Sequence, residues 1–194
     1  MESRRFAELI SFVFSPPIVA APAFLYLILL QRPVDSLTLA VISVMFGALV
    51  PLSIVYGLSK LRIIPDLWAS QRETRVIPFT GAIFSYILGS AALAIENSPA
   101  IITALMLCYA GNTVIMMLIS MRWKISVHAS GIAGPATALI YALGTAVLPL
   151  LLLVVPVGWA RIRLKAHTLA QVAAGVLLTI VATWIQMGIY LVLV

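Results

Sequence analysis

The feature that most constrains this chain is a series of apolar runs, each about as long as a bilayer is thick, joined by short polar turns. A helix crossing the hydrocarbon core needs roughly 20 mostly apolar residues. On that ruler the spans fall at residues 9–30, 37–58, 78–95, 100–120, 130–143, 147–159 and 169–194. Charged residues make up 9% of the 194, where a soluble domain carries about a quarter. So little charge cannot cover a water-facing surface, which makes lipid the expected solvent. The expected fold class is all-α, a polytopic transmembrane helix bundle of about six to seven spans, because a helix satisfies its own backbone in lipid. The length allows one compact domain, 1–194, and no polar stretch is long enough for a second.

Two boundaries need more than hydropathy. The fifth and sixth runs are short and contain Pro135, Pro149 and Pro156. Two short helices meeting near Gly144 and one long bent helix are both open there, and the choice decides on which side the last polar cluster lies. At the N-terminus, Arg4 and Arg5 precede an apolar run, as in a secretory signal. That run is of full span length, is interrupted by Pro16, Pro17 and Pro22, and lacks a convincing small-residue cleavage site. It is expected to be a retained first helix.

The polar connections alternate in character. One set holds Arg4 and Arg5; then Lys60, Arg62, Asp66, Arg72, Glu73 and Arg75; then Arg122 and Lys124; then Arg161, Arg163 and Lys165. The other holds Arg32, Asp35 and Glu96. With seven spans the first set shares one face, so 11 of the 12 Lys and Arg residues lie there and only Arg32 lies opposite. Cytoplasmic loops carry the excess of Lys and Arg. The rich face is therefore expected to be cytoplasmic, in an inner or plasma membrane, with the C-terminus outside. Setting aside Arg72, Arg75, Lys124 and Arg161 as candidate ligand-binding cations still leaves seven against one. Gly131, Gly134 and Gly175 are expected to let neighbouring helices approach closely.

Cys108, the single cysteine, lies inside an apolar run. An internal disulfide and a thiolate metal site are thereby excluded. The six acids, Glu2, Glu8, Asp35, Asp66, Glu73 and Glu96, are scattered, and no pair has metal-binding spacing. Intramembrane prenyltransferases and CDP-alcohol phosphotransferases gather divalent metals on clusters of Asp, hard oxygen ligands. Both are disfavoured here, and neither a metal nor another cofactor is expected.

The chain has two histidines, His128 and His167, each at a polar-to-apolar boundary with cations just before it. Ionisable groups at such boundaries are functional candidates by default. The third cluster runs Ala160-Arg161-Ile162-Arg163-Leu164-Lys165-Ala166-His167-Thr168-Leu169-Ala170-Gln171, followed by a small-residue helix to Gly175. This resembles the third motif of the type-2 phosphatidic acid phosphatase superfamily, SRxxxxxHxxxD, with Ala160 in place of the Ser and Gln171 in place of the Asp. The second cluster, Lys124-Ile125-Ser126-Val127-His128, resembles the family's PSGH motif at Ser126 and His128. The first motif, KxxxxxxRP, is matched loosely by Arg72-Glu73-Thr74-Arg75-Val76-Ile77-Pro78, where two extra residues separate Arg from Pro and Trp68 stands where the Lys belongs. The resemblance keeps motif order and places a phosphatase-like core at about 66–194.

The resemblance implies a membrane phosphatase acting on a lipid phosphate or diphosphate, polyprenyl or glycerolipid, through a phosphohistidine. It implies His167 as nucleophile, His128 as general acid and Ser126 as an auxiliary phosphate ligand. Phosphoryl transfer depends on positioned cations, and the planar guanidinium binds two phosphate oxygens at once. Arg72, Arg75, Arg161 and Lys124 are the candidate cradle. The family Asp one helical turn after the nucleophile steadies its imidazolium; Gln171 keeps an acceptor oxygen and loses the charge. A neutral amide in place of the Asp of a serine-protease triad costs about 10⁴ in rate. Either another carboxylate compensates, Asp66 or Glu73, or the protein is an impaired lipid-phosphate-binding or scaffolding relative. A transporter is a third class, disfavoured by the lack of a repeat. Lipid phosphate and membrane lipids are the expected partners; nucleic acid is not.

Overall fold

The computed structural model describes residues 2–67 and 71–193. Trp68, where the first motif's Lys is missing, lies outside them. The described residues form helices joined by short turns, with no strand. Five helical stretches are long and apolar enough to cross a membrane, and a bent N-terminal pair makes a sixth.

That pair corrects the expected first span. α1 (Glu2–Val13) and α2 (Pro16–Gln31) meet at 47° instead of forming one helix over 9–30. A residue before proline is pushed out of the helical region, and Ser15 is extended at φ −69°, ψ 146°. Pro16 and Pro17 then begin α2, where a missing N–H costs nothing. α1 buries Ala7, Ile10 and Ser11 and packs on α8 (Val154–Arg163). Phe6, Leu9 and Phe12 are each more than half exposed, with Phe6 against Trp159 of α8.

The second span is one rod of three parts: α3 (Ser36–Val44), a π turn (Met45–Leu49) and α4 (Val50–Lys60). A proline inside a helix lacks its N–H and clashes with the carbonyl four residues back. Pro51 follows the π turn, a wider winding that absorbs such a clash. The same turn brings Gly47 onto α2, where a Cβ would lie 2.7 Å from the Phe24 ring.

α5 (Val76–Ile95) and α6 (Ala100–Ser120) form an antiparallel pair, and α6 has the bounds expected from sequence. α7 (Val127–Leu143) is a shorter apolar helix packed on α9 (Leu169–Leu193). Gly144 stands at φ 77°, ψ −165°, a backbone region essentially closed to other residues, and breaks α7 from a 3₁₀ stretch (Thr145–Leu153) that leads into α8. The fifth and sixth runs are thus two segments, and the last polar cluster returns to the face of the other two.

Phe24, Leu27, Leu39, Leu93, Ile102, Leu105, Met106 and Met187 are fully enclosed between the helices. Leu29, Phe84, Leu88, Leu118, Leu177 and Ile185 are more than half exposed on the outside. A water-soluble exterior does not carry such a continuous apolar jacket; the molecule is an integral membrane helix bundle.

Candidate functional site

The three polar clusters converge where α5 and α7 begin and α8 hands over to α9. The link between α8 and α9 is built by two caps in succession. Lys165 takes a left-handed conformation, φ 55°. Ala166 N–H donates to the Arg161 carbonyl (3.0 Å) and Lys165 N–H to the Ile162 carbonyl (2.9 Å), which is the Schellman arrangement that ends a helix. Two residues on, Thr168 and Gln171 form a reciprocal capping box. Gln171 N–H donates to Thr168 Oγ1 (3.3 Å), and Thr168 N–H donates to Gln171 Oε1 (3.1 Å). His167 sits between the two caps and has almost no freedom of place.

Gln171 Oε1 also lies 3.3 Å from His167 Nδ1. An amide oxygen can only accept, so the neutral imidazole carries its proton on Nδ1 and keeps its lone pair on Nε2. Burial, then the charges of Arg161, Arg75 and Lys124, push the imidazole pKa down to about 3. The ring is therefore neutral at physiological pH. The bond to Gln171 opposes this shift without cancelling it.

The same interactions identify the members of the cluster. Arg75, Arg161 and Lys124 act on His167, and Arg161, Arg75 and His167 act on His128. Arg75 and Arg161 are 3% exposed, rare for guanidinium groups, and Asp66 acts on both. Arg75 donates to the Ile125 carbonyl (3.0 Å), fastening the start of α5 to the turn before α7. Arg161 Nε has no hydrogen-bond partner among the described residues. Lys124 is partly exposed, and burial followed by Arg75 and Arg161 lowers its pKa.

α7 begins at this cluster. Ser126 is its N-cap, accepting Ala129 N–H at Oγ (3.4 Å), and Ser126 N–H donates to the Gln171 carbonyl (3.2 Å). The hydroxyl proposed by sequence as a phosphate ligand is thus wholly buried in a cap. His128 lies in the first turn of α7, where free N–H groups and the helix dipole favour an anion. The main chain of Ser11 in α1 hydrogen-bonds its ring. Gly175 permits this closeness of α7 and α9: a Cβ there would lie 2.7 Å from the Ser126 carbonyl.

Of the sequence candidates, the structure brings together Arg75, Lys124, His128, Arg161, His167 and Gln171. Arg72 is not among them. Its guanidinium donates to Glu73 (2.6 Å) and to the Arg122 carbonyl (2.5 Å). Arg72 is a loop staple here, since its reach is spent on those two acceptors. Asp66 acts on Arg75, Lys124 and Arg161, and Glu73 on Arg72, Arg75 and Lys124. Among the described residues, no three His, Cys, Asp or Glu side chains converge as a metal site needs.

Sequence reasoning passed over Thr168, although Thr-x-x-Gln before an apolar run is a recognisable capping-box pattern. It also passed over Ser11, which no local signal connects to His128. Comparison with protein-family models, with curated proteins and with solved structures finds no match.

Proposed function

We infer that the protein is a membrane-embedded hydrolase of the type-2 phosphatidic acid phosphatase kind, acting on a lipid phosphate or diphosphate through a phosphohistidine. The observation that carries this reading is a neutral imidazole, held through Nδ1 by Gln171, on which the charges of Arg161, Arg75 and Lys124 all act. A bare structural histidine needs neither the cations nor the tautomer.

The steps follow from those positions. Arg75, Arg161, Lys124 and the start of α7 hold the phosphate oxygens, and Nε2 of His167 attacks phosphorus. The new N–P bond forms as the bond from phosphorus to the lipid oxygen breaks, and His128 gives that oxygen a proton. The substrate's own negative charge offsets the cations and lets His128 take up the proton as it binds. Water then attacks phosphorus, His128 takes a proton from it, and the N–P bond breaks to release phosphate and neutral His167. The concentration of Lys and Arg on this face supports a cytoplasmic active site in an inner or plasma membrane.

The test is phosphate release by purified protein from polyprenyl and glycerolipid phosphates and diphosphates, with acid-labile phosphoprotein trapped in parallel. Turnover with label on His167, both lost in His167→Ala, is expected; normal turnover in His167→Ala removes the nucleophile. The amide at Gln171 favours a second reading, a lipid-phosphate-binding or scaffolding protein. Tight binding of lipid phosphate with no release from any substrate establishes that one.

A further inference from the structure

Behind the cationic cluster lies a cavity of about 210 Å³ that begins at Arg75 and His128 and runs into the bundle. On α5 and its N-cap its wall is a single stripe, Arg75, Pro78, Phe79, Ala82 and Tyr86; on α6 it is another, from Met116 back to Leu105. Each stripe spans 12 residues, a rise of 11 steps or about 16 Å at 1.5 Å per residue. The cavity therefore reaches about half-way across a hydrocarbon core of roughly 30 Å.

The far end is closed. Leu105, Cys108, Tyr86 and Tyr109 line it and are all at most 9% exposed. The two tyrosine rings lie 5.4 Å apart, and Phe24 of α2 stacks on Tyr109 from behind at 5.7 Å. The side of the cavity is less complete. α2 packs on α3 and the π turn, whereas α4 packs on α5 and the π turn. The first turn of α2, Pro16 to Ile18, and Pro51, Leu52 and Val55 of α4 both line the cavity, and Leu52 is 40% exposed. On this side α2 and α4 are joined chiefly through the π turn, which packs on both.

A shaft with cations at its mouth and an apolar interior fits an amphiphile with an anionic head. Its volume lies below the roughly 300–1,000 Å³ of ordinary ligand pockets, so it has room for one chain and not two. We propose that this shaft is a tail-binding site for a single-chain lipid phosphate, loaded sideways from the bilayer between α2 and α4, with Leu105, Tyr86 and Tyr109 setting the longest tail it accepts. The proposal rests on the phosphate-binding reading of the cluster above and names the substrate class within it.

The length dependence has a particular form. Bilayer and shaft are equally apolar, so moving a tail from one to the other gains little per methylene. The shaft therefore imposes a cutoff and no gradual preference. A tail that reaches the floor fits; a longer one must fold back or displace packed rings.

The test uses full-length protein in lipid nanodiscs, with single-chain alkyl phosphates from butyl to eicosyl, a two-chain glycerolipid phosphate and inorganic phosphate as competitors for a fluorescent alkyl phosphate. Expected is near-constant affinity up to one chain length and a fall of at least tenfold beyond it. Leu105→Ala and Tyr109→Ala should each move that limit to longer chains, and Ala82→Phe should move it to shorter ones. An alkyl phosphate of limiting length with a terminal photoreactive diazirine should label residues 105–109 or Tyr86. The proposal is overturned by affinity that ignores chain length, by a limit unmoved in all three variants, by two-chain lipid binding as tightly as single-chain, or by label on outward residues such as Leu88 and Leu118. Binding is read without turnover. A chain-length limit without phosphate release removes the hydrolase and keeps the shaft, and phosphate release without a limit does the reverse.

Discussion

Gln171→Glu is the substitution that most directly tests the site, because it adds a charge while changing almost no shape. Glutamate is as good as glutamine at the third position of a capping box, so both bonds to Thr168 should survive and the fold should not weaken. The new carboxylate faces His167 Nδ1 at the present 3.3 Å. With an effective dielectric of about 20, two unit charges at that distance attract by about 5 kcal/mol. Desolvation of the carboxylate and the competing pull of Arg161 take most of this, and a retained third, about 1.5 kcal/mol, corresponds to at least tenfold in rate. Turnover should therefore rise about tenfold or more in a phosphate-release assay. Gln171→Leu loses the imidazole partner and half of the box, and should cost about 1 kcal/mol of stability together with most of the activity.

The pH dependence supplies a readout that does not depend on turnover. His167 stays neutral down to about pH 3 in the folded protein, while an unfolded histidine protonates near 6.5. Between those values the unfolded state binds the extra proton. Stability contributed by the neutral ring is complete above about pH 6.5 and is lost as pH falls towards 3. A glutamate at 171 raises the folded value, so the loss of thermal stability between pH 7 and 4 should be shallower than in the parent. If Gln171→Glu changes neither the rate nor this slope, Gln171 does not act on His167 and the proposed site is wrong.

Three further outcomes follow from positions already described. Arg161→Ala should lower kcat/KM at least a hundredfold, because the proposed phosphate cradle would lose a buried guanidinium with an unsatisfied Nε, while Arg72→Ala, whose guanidinium is bonded to Glu73, should lose less than tenfold. Single cysteines in place of Lys60 and Lys165, in a Cys108→Ser background, should react with an impermeant maleimide from the cytoplasmic side and one in place of Glu96 from the opposite side; labelling of position 165 from outside alone would reverse the topology. Gly175→Ala should push α9 off the Ser126 carbonyl and cost about 1–3 kcal/mol, measured as midpoint loss in detergent, whereas Gly57→Ala, with no atom within 4 Å of its added carbon, should be neutral or slightly stabilising.

How much of this was legible in the sequence depends on how local each determinant is. The apolar runs locate the spans because lipid demands them, and α6 ends where its run ends. The first span was misplaced because hydropathy measures composition, while Ser15 leaves the helix for a steric reason attached to Pro16. Arg161, His167 and Gln171 could be read together because two caps within 11 residues hold them, and caps are written in the adjacent sequence. Arg72 and Arg75, three residues apart, could not be separated in that way. One meets the Arg122 carbonyl and Glu73, the other the Ile125 carbonyl and the histidines, and both choices depend on a loop 50 residues away. The shaft was hidden for a different reason. In a soluble helix an apolar stripe stands out against a polar face, but α5 and α6 are apolar all round, and Ala82 and Tyr86 look no different in sequence from the lipid-facing Phe84 and Leu88. In a bilayer the pattern that would mark an apolar binding site is the same pattern that marks the solvent-facing surface, so such a site becomes visible only when the helices are seen to stand apart.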